Sequence, residues 1–194
     1  MAGKQARILT DHQINAALGY FQTMRHPERN RVMLLLSAKA GLRAGEISQI
    51  TWDMVINSSG EISSSIALEN RIAKKGHGRI IPMHSDLREA LQNLKEVSID
   101  TRGESEIIVS ERGTGMKPPV IYEWFRRVYK NLGLKGCSSH SGRRTMITKA
   151  ARKASTVGAS LRDVQLIVGH KDLKTTQTYV EAETDAQKKL MELI

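Results

Sequence analysis

Four side chains in one short run have the types and spacing for phosphate chemistry. His140 and Arg143 stand three apart, His170 follows Gly169, and Tyr179 comes nine residues after His170. A guanidinium binds oxyanions bidentately and stays charged, and an imidazole moves protons near neutral pH. A phenol becomes a nucleophile where a cationic environment helps it ionise. The surrounding sequence supplies such an environment. From Trp124 to Arg162 there are ten Lys or Arg and no Asp or Glu, while the rest of the chain is balanced at 20 against 20. The whole net charge of +10 therefore belongs to this run. A single-sign block is commonly a solvated tail. This one is interleaved with Phe125, Val128 and Tyr129, then Met146, Ile147, Ala150 and Ala151, at helical spacing. It reads as folded helices with a basic face, the electrostatic footprint of nucleic-acid binding.

His140 and Arg143 share one face of a predicted helix. Ser138 or Ser139 suits its N-cap, which puts His140 near the positive helix end, where anions are favoured. His-x-x-Arg, then Gly-His, then Tyr nine residues on, resembles the second signature box of the tyrosine recombinases, the phage integrase family. All three parts match. In two respects the sequence departs from that pattern. Gly142 stands where the family commonly has Leu, and the interval from His140 to His170 is somewhat longer than usual, the excess falling in Lys153 to Gly158. The resemblance implies that Tyr179 is the nucleophile, that Arg143 and His170 bind the phosphate, and that His140 accepts a proton.

The elements that must position these groups begin at the amino terminus. Residues 1–9 read as a polar, basic tail. Thr10-Asp11-His12-Gln13 fits a capping box, with Ile14, Leu18 and Phe21 as the apolar stripe of a helix ending near Met24 to His26. Pro27 suits the first turn of a second helix, which runs to Ala40 and is stopped by Gly41. Arg43 and Glu46, three apart, would on their own be a surface ion pair of little energetic weight. Beside the downstream set, Gly41-Leu42-Arg43-Ala44-Gly45-Glu46, continuing to Ile50-Thr51-Trp52-Asp53, resembles the family's first signature box, with Ile50 for the common Leu. That likeness implies that Arg43 is the first phosphate-binding arginine and that Glu46 orients the site.

Val55 to Pro82 reads as a small three-stranded antiparallel sheet with a turn at Asn57-Ser58-Ser59-Gly60. Its hairpin tip, Lys74-Lys75-Gly76-His77-Gly78, resembles the mobile hairpin whose lysine enters the active site in this family. The register back from Pro82 gives that role to Lys74, with Lys75 as the alternative. Ser85 suits the cap of a helix through Leu87, Leu91, Leu94 and Val97, and Ile107-Ile108-Val109 reads as an extended core segment. Pro118-Pro119 opens a helix whose Trp124 and Tyr129 are assigned to the core rather than to base stacking. Arg126, Arg127 and Lys130 beside that stripe suit backbone phosphates, as do Lys75 and Arg144. Ser160 and Gly169 bracket a helix that leaves His170 just past its end. Residues 181–194 read as a final amphipathic helix, a segment that in the family often packs on an adjacent protomer.

The expected fold is α+β, a mainly helical tyrosine-recombinase catalytic domain over residues 10–180 with its small sheet. One cysteine, Cys137, excludes an internal disulfide and makes a poor zinc set, and no apolar run is long enough to span a membrane. The resemblance implies a cofactor-free, metal-free strand transfer through a 3′-phosphotyrosyl link, with Lys74 protonating the departing 5′ oxygen. It further implies double-stranded DNA as partner, self-association into a tetramer on DNA, accessory DNA-binding proteins, and a cytoplasmic, nucleoid-associated location. The alternatives are a nicking-closing enzyme like the type IB topoisomerases, or a catalytically silent DNA-binding module. Charge alone also admits an RNA-binding protein. The helical core-binding domain that usually precedes this domain is not in the sequence, which fits either an excised fragment or a short member like the fimbrial phase-variation invertases.

Overall fold

A computed structural model of the chain describes residues 5–73, 78–179 and 191–192. The fold is built around α2 (Pro27–Ala38). Pro27 occupies its first turn, and Val32 to Leu36 are apolar without a break and fully buried. A helix that is apolar all round belongs in an interior. Each such side chain contributes about 1.5–3 kcal/mol on burial. Around α2 pack α1 (Asp11–Phe21), α3 (Ala44–Ile47), α4 (Ser85–Val97) and α6 (Ser141–Lys153). The other helices are α5 (Pro118–Asn131), α7 (Leu161–Val168) and α8 (Leu173–Gln177). No helix of the described residues is long and apolar enough to cross a membrane.

Local chemistry explains most boundaries. Thr10 Oγ1 accepts the Gln13 N–H at 3.2 Å while Gln13 Oε1 accepts the Thr10 N–H at 3.0 Å, the reciprocal box that starts α1. That helix stops at Phe21, earlier than the expected Met24 to His26, in a turn leading to His26 in the left-handed conformation (φ 56°) and to Pro27. The N-cap of α4 is His84, whose Nδ1 accepts the Asp86 N–H at 3.1 Å; Ser85, expected there, is the first helical residue instead. After α6 the chain makes a 3-10 turn, Ala154–Val157, closed by Gly158 at φ 73°. The extra length before His170 is thus absorbed as a helical turn.

The sheet has two strands, not the expected three. β1 (Ser65–Leu68) and β2 (Arg79–Pro82) are antiparallel, with Ser65 opposite Pro82 and Leu68 opposite Arg79. The third strand is reduced to a single bridge between Ile56 and Ile62. Its backbone donors are engaged elsewhere: the N–H groups of Val55 and Ile56 both donate to Trp52 O, closing the 3-10 turn Trp52–Met54. Arg71 to Ala73, within the stretch expected to be sheet, forms a turn in which the Ile72 and Ala73 N–H groups donate to Glu69 O.

The segment before α1 lies along α6. The Leu9 N–H donates to Thr145 Oγ1 at 2.7 Å, the Arg7 N–H to Gly136 O at 3.1 Å, and Arg144 Nη1 to Ala6 O at 2.6 Å. Leu9 itself is buried in the core.

Gly142, the departure from the family's leucine, has a steric cause. A Cβ there would collide with Ser37 Oγ and lie 2.9 Å from Ser37 Cβ and 3.1 Å from the Ala38 nitrogen of α2. All three atoms belong to the central helix, and Ser37 Cβ and the Ala38 nitrogen are fixed to its backbone, so relief requires α2 and α6 to separate. Gly142→Ala is expected to cost about 1–3 kcal/mol through this overpacking. A thermal melt reads it as a drop of about 2–4 °C per kcal/mol for a chain of this size.

Candidate active site

One cleft of about 430 Å³ gathers residues from four parts of the chain. Arg43 comes from the N-cap of α3, His140 and Arg143 from the start of α6, His170 from the turn after α7, and Tyr179 from just beyond α8. The sequence-predicted set apart from the hairpin lysines therefore converges on a single concavity. Lys74 and Lys75 lie outside the described residues, as do residues 180–190 and 193–194.

The arginines are fixed before any ligand arrives. Arg143 is only 4% exposed; its Nη2 donates to Val168 O at 2.8 Å and its Nη1 to Gly41 O. Val168 ends α7, so this guanidinium satisfies a carbonyl left open at a helix C-terminus and sits in its negative dipole field, while Gly41 O belongs to the loop between α2 and α3. Burial, and then the charge of Arg43, push Arg143 down to about 9, which still leaves it charged at neutral pH.

A further arginine completes the cluster. Arg79 donates from Nε to Ile167 O at 2.8 Å, and from Nη1 and Nη2 to the two Glu46 oxygens at 3.0 and 3.2 Å. Glu46 Oε1 also accepts Arg43 Nη1 at 3.0 Å, and Oε2 accepts the Arg43 N–H at 2.8 Å. This carboxylate is 2% exposed. Burial pushes its pKa up, but the hydrogen bonds and charge of Arg79, joined by those of Arg43, outweigh that and hold it below the ordinary glutamate range. Arg79 was not among the residues singled out as functional. The signal was strand alternation: Arg79 shares a face with fully buried Ile81, while Ile80 between them is exposed, so the arginine points inward and must be paired. Gly169 makes room for it. At φ 66° it caps α7 in the left-handed conformation, and a Cβ there would meet the Arg79 side chain at 3.0–3.2 Å.

His170 is half-buried. Its N–H donates to Gln165 O at 3.2 Å and its carbonyl accepts Gln165 Nε2 at 2.9 Å, so the backbone is gripped from both sides. The ring stacks on Tyr179 with centroids 5.7 Å apart and planes at 24°, and its Nδ1 lies 3.0 Å from Thr176 Oγ1. Burial, then Arg143, Arg43 and Arg79, push the imidazole from 6.5 down to about 4. It is neutral at physiological pH and can donate one proton without adding charge. Tyr179 is half-buried, with its phenol at the cleft. The imidazole stacked on Tyr179 is that of His170; His140 is exposed and lines the same cleft.

The other basic candidates divide. Arg126, Arg127 and Lys130 are exposed on α5, and Arg126 is paired with Glu123 at 2.6 Å. Arg144 lines the cleft while holding Ala6 O. Trp124 and Tyr129 are core residues.

Two measurements test this electrostatic arrangement. Glu46→Ala leaves Arg79 buried without its carboxylate and should cost about 3–5 kcal/mol in a denaturant titration. Because folding lowers the Glu46 pKa, its contribution is present above the unfolded value of 4.5 and is lost as the pH falls below it; the stability of Glu46→Ala should lack that part of the acid-side slope. For His170 an NMR titration should find the ring midpoint well below 6.5. Between the two values the unfolded chain holds the proton more tightly, so this residue also makes stability decline as the pH falls. Inorganic phosphate bound among the arginines should raise the midpoint by about one unit.

The chain has recognisable relatives. Residues 7–185 match the phage integrase family. The chain is similar to the tyrosine recombinase XerC of Rickettsia bellii, 25% identical over 186 residues that cover 90% of this chain and 55% of that protein. It is similar to the tyrosine recombinase XerD of Pseudomonas putida, 30% identical over 161 residues, covering 78% and 49% respectively. It spans about half the length of these curated relatives. In fold it is similar to the Tn1549 transposon integrase, solved in complex with a circular intermediate DNA, at a TM-score of 0.73 and 21% identity over 100% of this chain and 67% of that one. A sequence match from Arg7 to the residues beyond Tyr179, on a chain that folds the two signature boxes into one cleft, places this protein in the phage integrase family.

Proposed function

We propose that this chain is the catalytic domain of a site-specific DNA recombinase that breaks and rejoins strands through a 3′-phosphotyrosyl intermediate. The observation that carries the proposal is the convergence of Arg43, His140, Arg143, His170 and Tyr179 on one cleft. Arg43 and Arg143 bind the non-bridging oxygens of the scissile phosphate, and His170 adds an uncharged donor to the same group. Tyr179 Oη attacks phosphorus and the bond to the 5′ oxygen breaks. His140 accepts the phenolic proton, and Lys74 (or Lys75 in its place) gives one to the departing 5′ oxygen. One phosphodiester is exchanged for another, so the 5′ hydroxyl of a second strand can reverse the step. Glu46 bonds to both Arg43 and Arg79, and this pair of contacts serves to position the set.

Double-stranded DNA is the substrate, and the names of the relatives above, tyrosine recombinases and an integrase solved with DNA, support that choice. Arg126, Arg127, Lys130 and Arg144 neutralise backbone phosphates outside the cleft. Self-association into a tetramer on DNA, with residues 181–194 exchanged between protomers and accessory proteins present, completes the cytoplasmic assembly proposed.

Tyr179→Phe is the direct test. On a suicide DNA substrate the parent protein should accumulate a covalent adduct that survives denaturation. The phenylalanine variant should form none while its affinity for DNA stays within about 10-fold, since the hydroxyl contributes at most one neutral hydrogen bond to binding. An adduct in that variant would assign the nucleophile elsewhere.

A further inference from the structure

Thr176 touches both His170 and Tyr179 and is assigned to neither signature box. It is fully buried on α8. Its hydroxyl lies 3.0 Å from His170 Nδ1, and its carbonyl accepts the Tyr179 N–H at 3.1 Å. One residue therefore links the His170 ring, which lines the cleft, to the backbone that carries the phenol. The imidazole has two ways to meet a hydroxyl. Either Nδ1–H donates to the threonine oxygen, or the threonine O–H donates to a bare Nδ1. Among the described residues the hydroxyl has one hydrogen-bond partner, His170. If it accepted from Nδ1–H, its own proton would be buried without an acceptor, a loss of about 1–3 kcal/mol. If it donates, both groups are satisfied. The tautomer of a histidine is set by the bond its second nitrogen makes.

We propose that Thr176 is a positioning residue that sets the tautomer of His170: its hydroxyl donates to Nδ1, which leaves the ring proton on Nε2, at the edge turned to the cleft. This rests on the recombinase reading for what the proton then meets, a non-bridging phosphate oxygen, which accepts and never donates. The opposite tautomer would aim a lone pair at that oxygen. The groups facing the ring agree with a donor there. Arg43, Arg79 and Arg143 bear on it and Tyr179 covers one face, so a phosphate drawn in by the arginines arrives as an acceptor. Gln165, only 3% exposed, fixes the backbone of the same residue from the other side, so the ring can turn only if the Thr176 contact is lost.

The experiment reads the tautomer directly. Long-range proton–nitrogen correlation spectra of ¹⁵N-labelled protein near pH 7 distinguish a protonated from a bare ring nitrogen, and His170→Gln assigns the signals. The parent protein should show His170 protonated at Nε2. Thr176→Val keeps the shape and removes the hydroxyl; it should give mixed tautomers and a rate of covalent adduct formation lower by about 10- to 100-fold, the range for losing one donor to a charged oxygen. Thr176→Ser keeps the hydroxyl and should restore both. A parent spectrum with the proton on Nδ1 overturns the inference, and so does a folded Thr176→Val with unchanged tautomer and rate. If the valine variant does not fold, the parent spectrum and the serine variant still decide. If the parent forms no adduct with any DNA, the recombinase reading fails, while the spectra judge Thr176 independently.

Discussion

One carboxylate holds two guanidinium groups in place, and the geometry of the cleft follows from it. Glu46 takes both terminal nitrogens of Arg79 and both the side chain and the backbone of Arg43. It is buried, as is Arg79, so neither charge can exchange its partner for water. Such a pair is a poor source of net stability, because desolvation offsets the attraction. Its value lies in fixing geometry. Arg43, Arg79 and Arg143 against Glu46 leave two positive charges in excess, held where side-chain rearrangement would expose an unpaired ion. In the proposed reaction such a site meets an anionic phosphate without reorganising, which is the condition under which fixed charges stabilise a transition state most.

The second support is the backbone. Helices end with carbonyls that have no internal partner. Here Ile167 O and Val168 O at the end of α7, and Gly41 O beyond α2, are taken by Arg79 and Arg143. The same bonds that close the helix ends orient the guanidinium groups. Gly41 and Gly169 both have positive φ at these ends, and Gly169 also makes the space that the Arg79 side chain occupies. The two glycines of the signature boxes are thus part of the arginine-binding surface as well as helix terminators, which ties the spacing of each box to the carbonyls it must present.

The chain order of the site was legible because its parts are local. His140 and Arg143, and Arg43 and Glu46, are one helical turn apart, and Gly169 ends a helix whose period is clear, so spacing was enough to place each pair. The capping box at Thr10 and the core stripe of Trp124 and Tyr129 were legible for the same reason. What depends on distant partners was not. The third strand was lost because Val55 and Ile56 donate to Trp52, a competition that alternation of side chains does not register. Arg79 was passed over because its partners Glu46 and Ile167 lie 33 and 88 residues away, although its place on the Ile81 face marked it. Gly142 read as a departure from a pattern, and only the approach of α2 to α6 gives it a reason.

The basic run that dominates the sequence does two different things once folded. Arg143 turns inward, while Arg126, Arg127 and Lys130 remain in solvent. Salt screens charges in water within about 8 Å at physiological ionic strength, and it screens buried charges much less. Ionic strength therefore acts on the outer set and hardly on the inner one. In the proposed reaction the outer charges govern how strongly DNA is held, and the inner charges govern what happens to the phosphate once it is seated. Composition alone merges the two into a single net charge. The division comes from helical periodicity, which sends residue 143 to the face that α2 and α7 cover and the α5 cations to the face that nothing in the described chain covers.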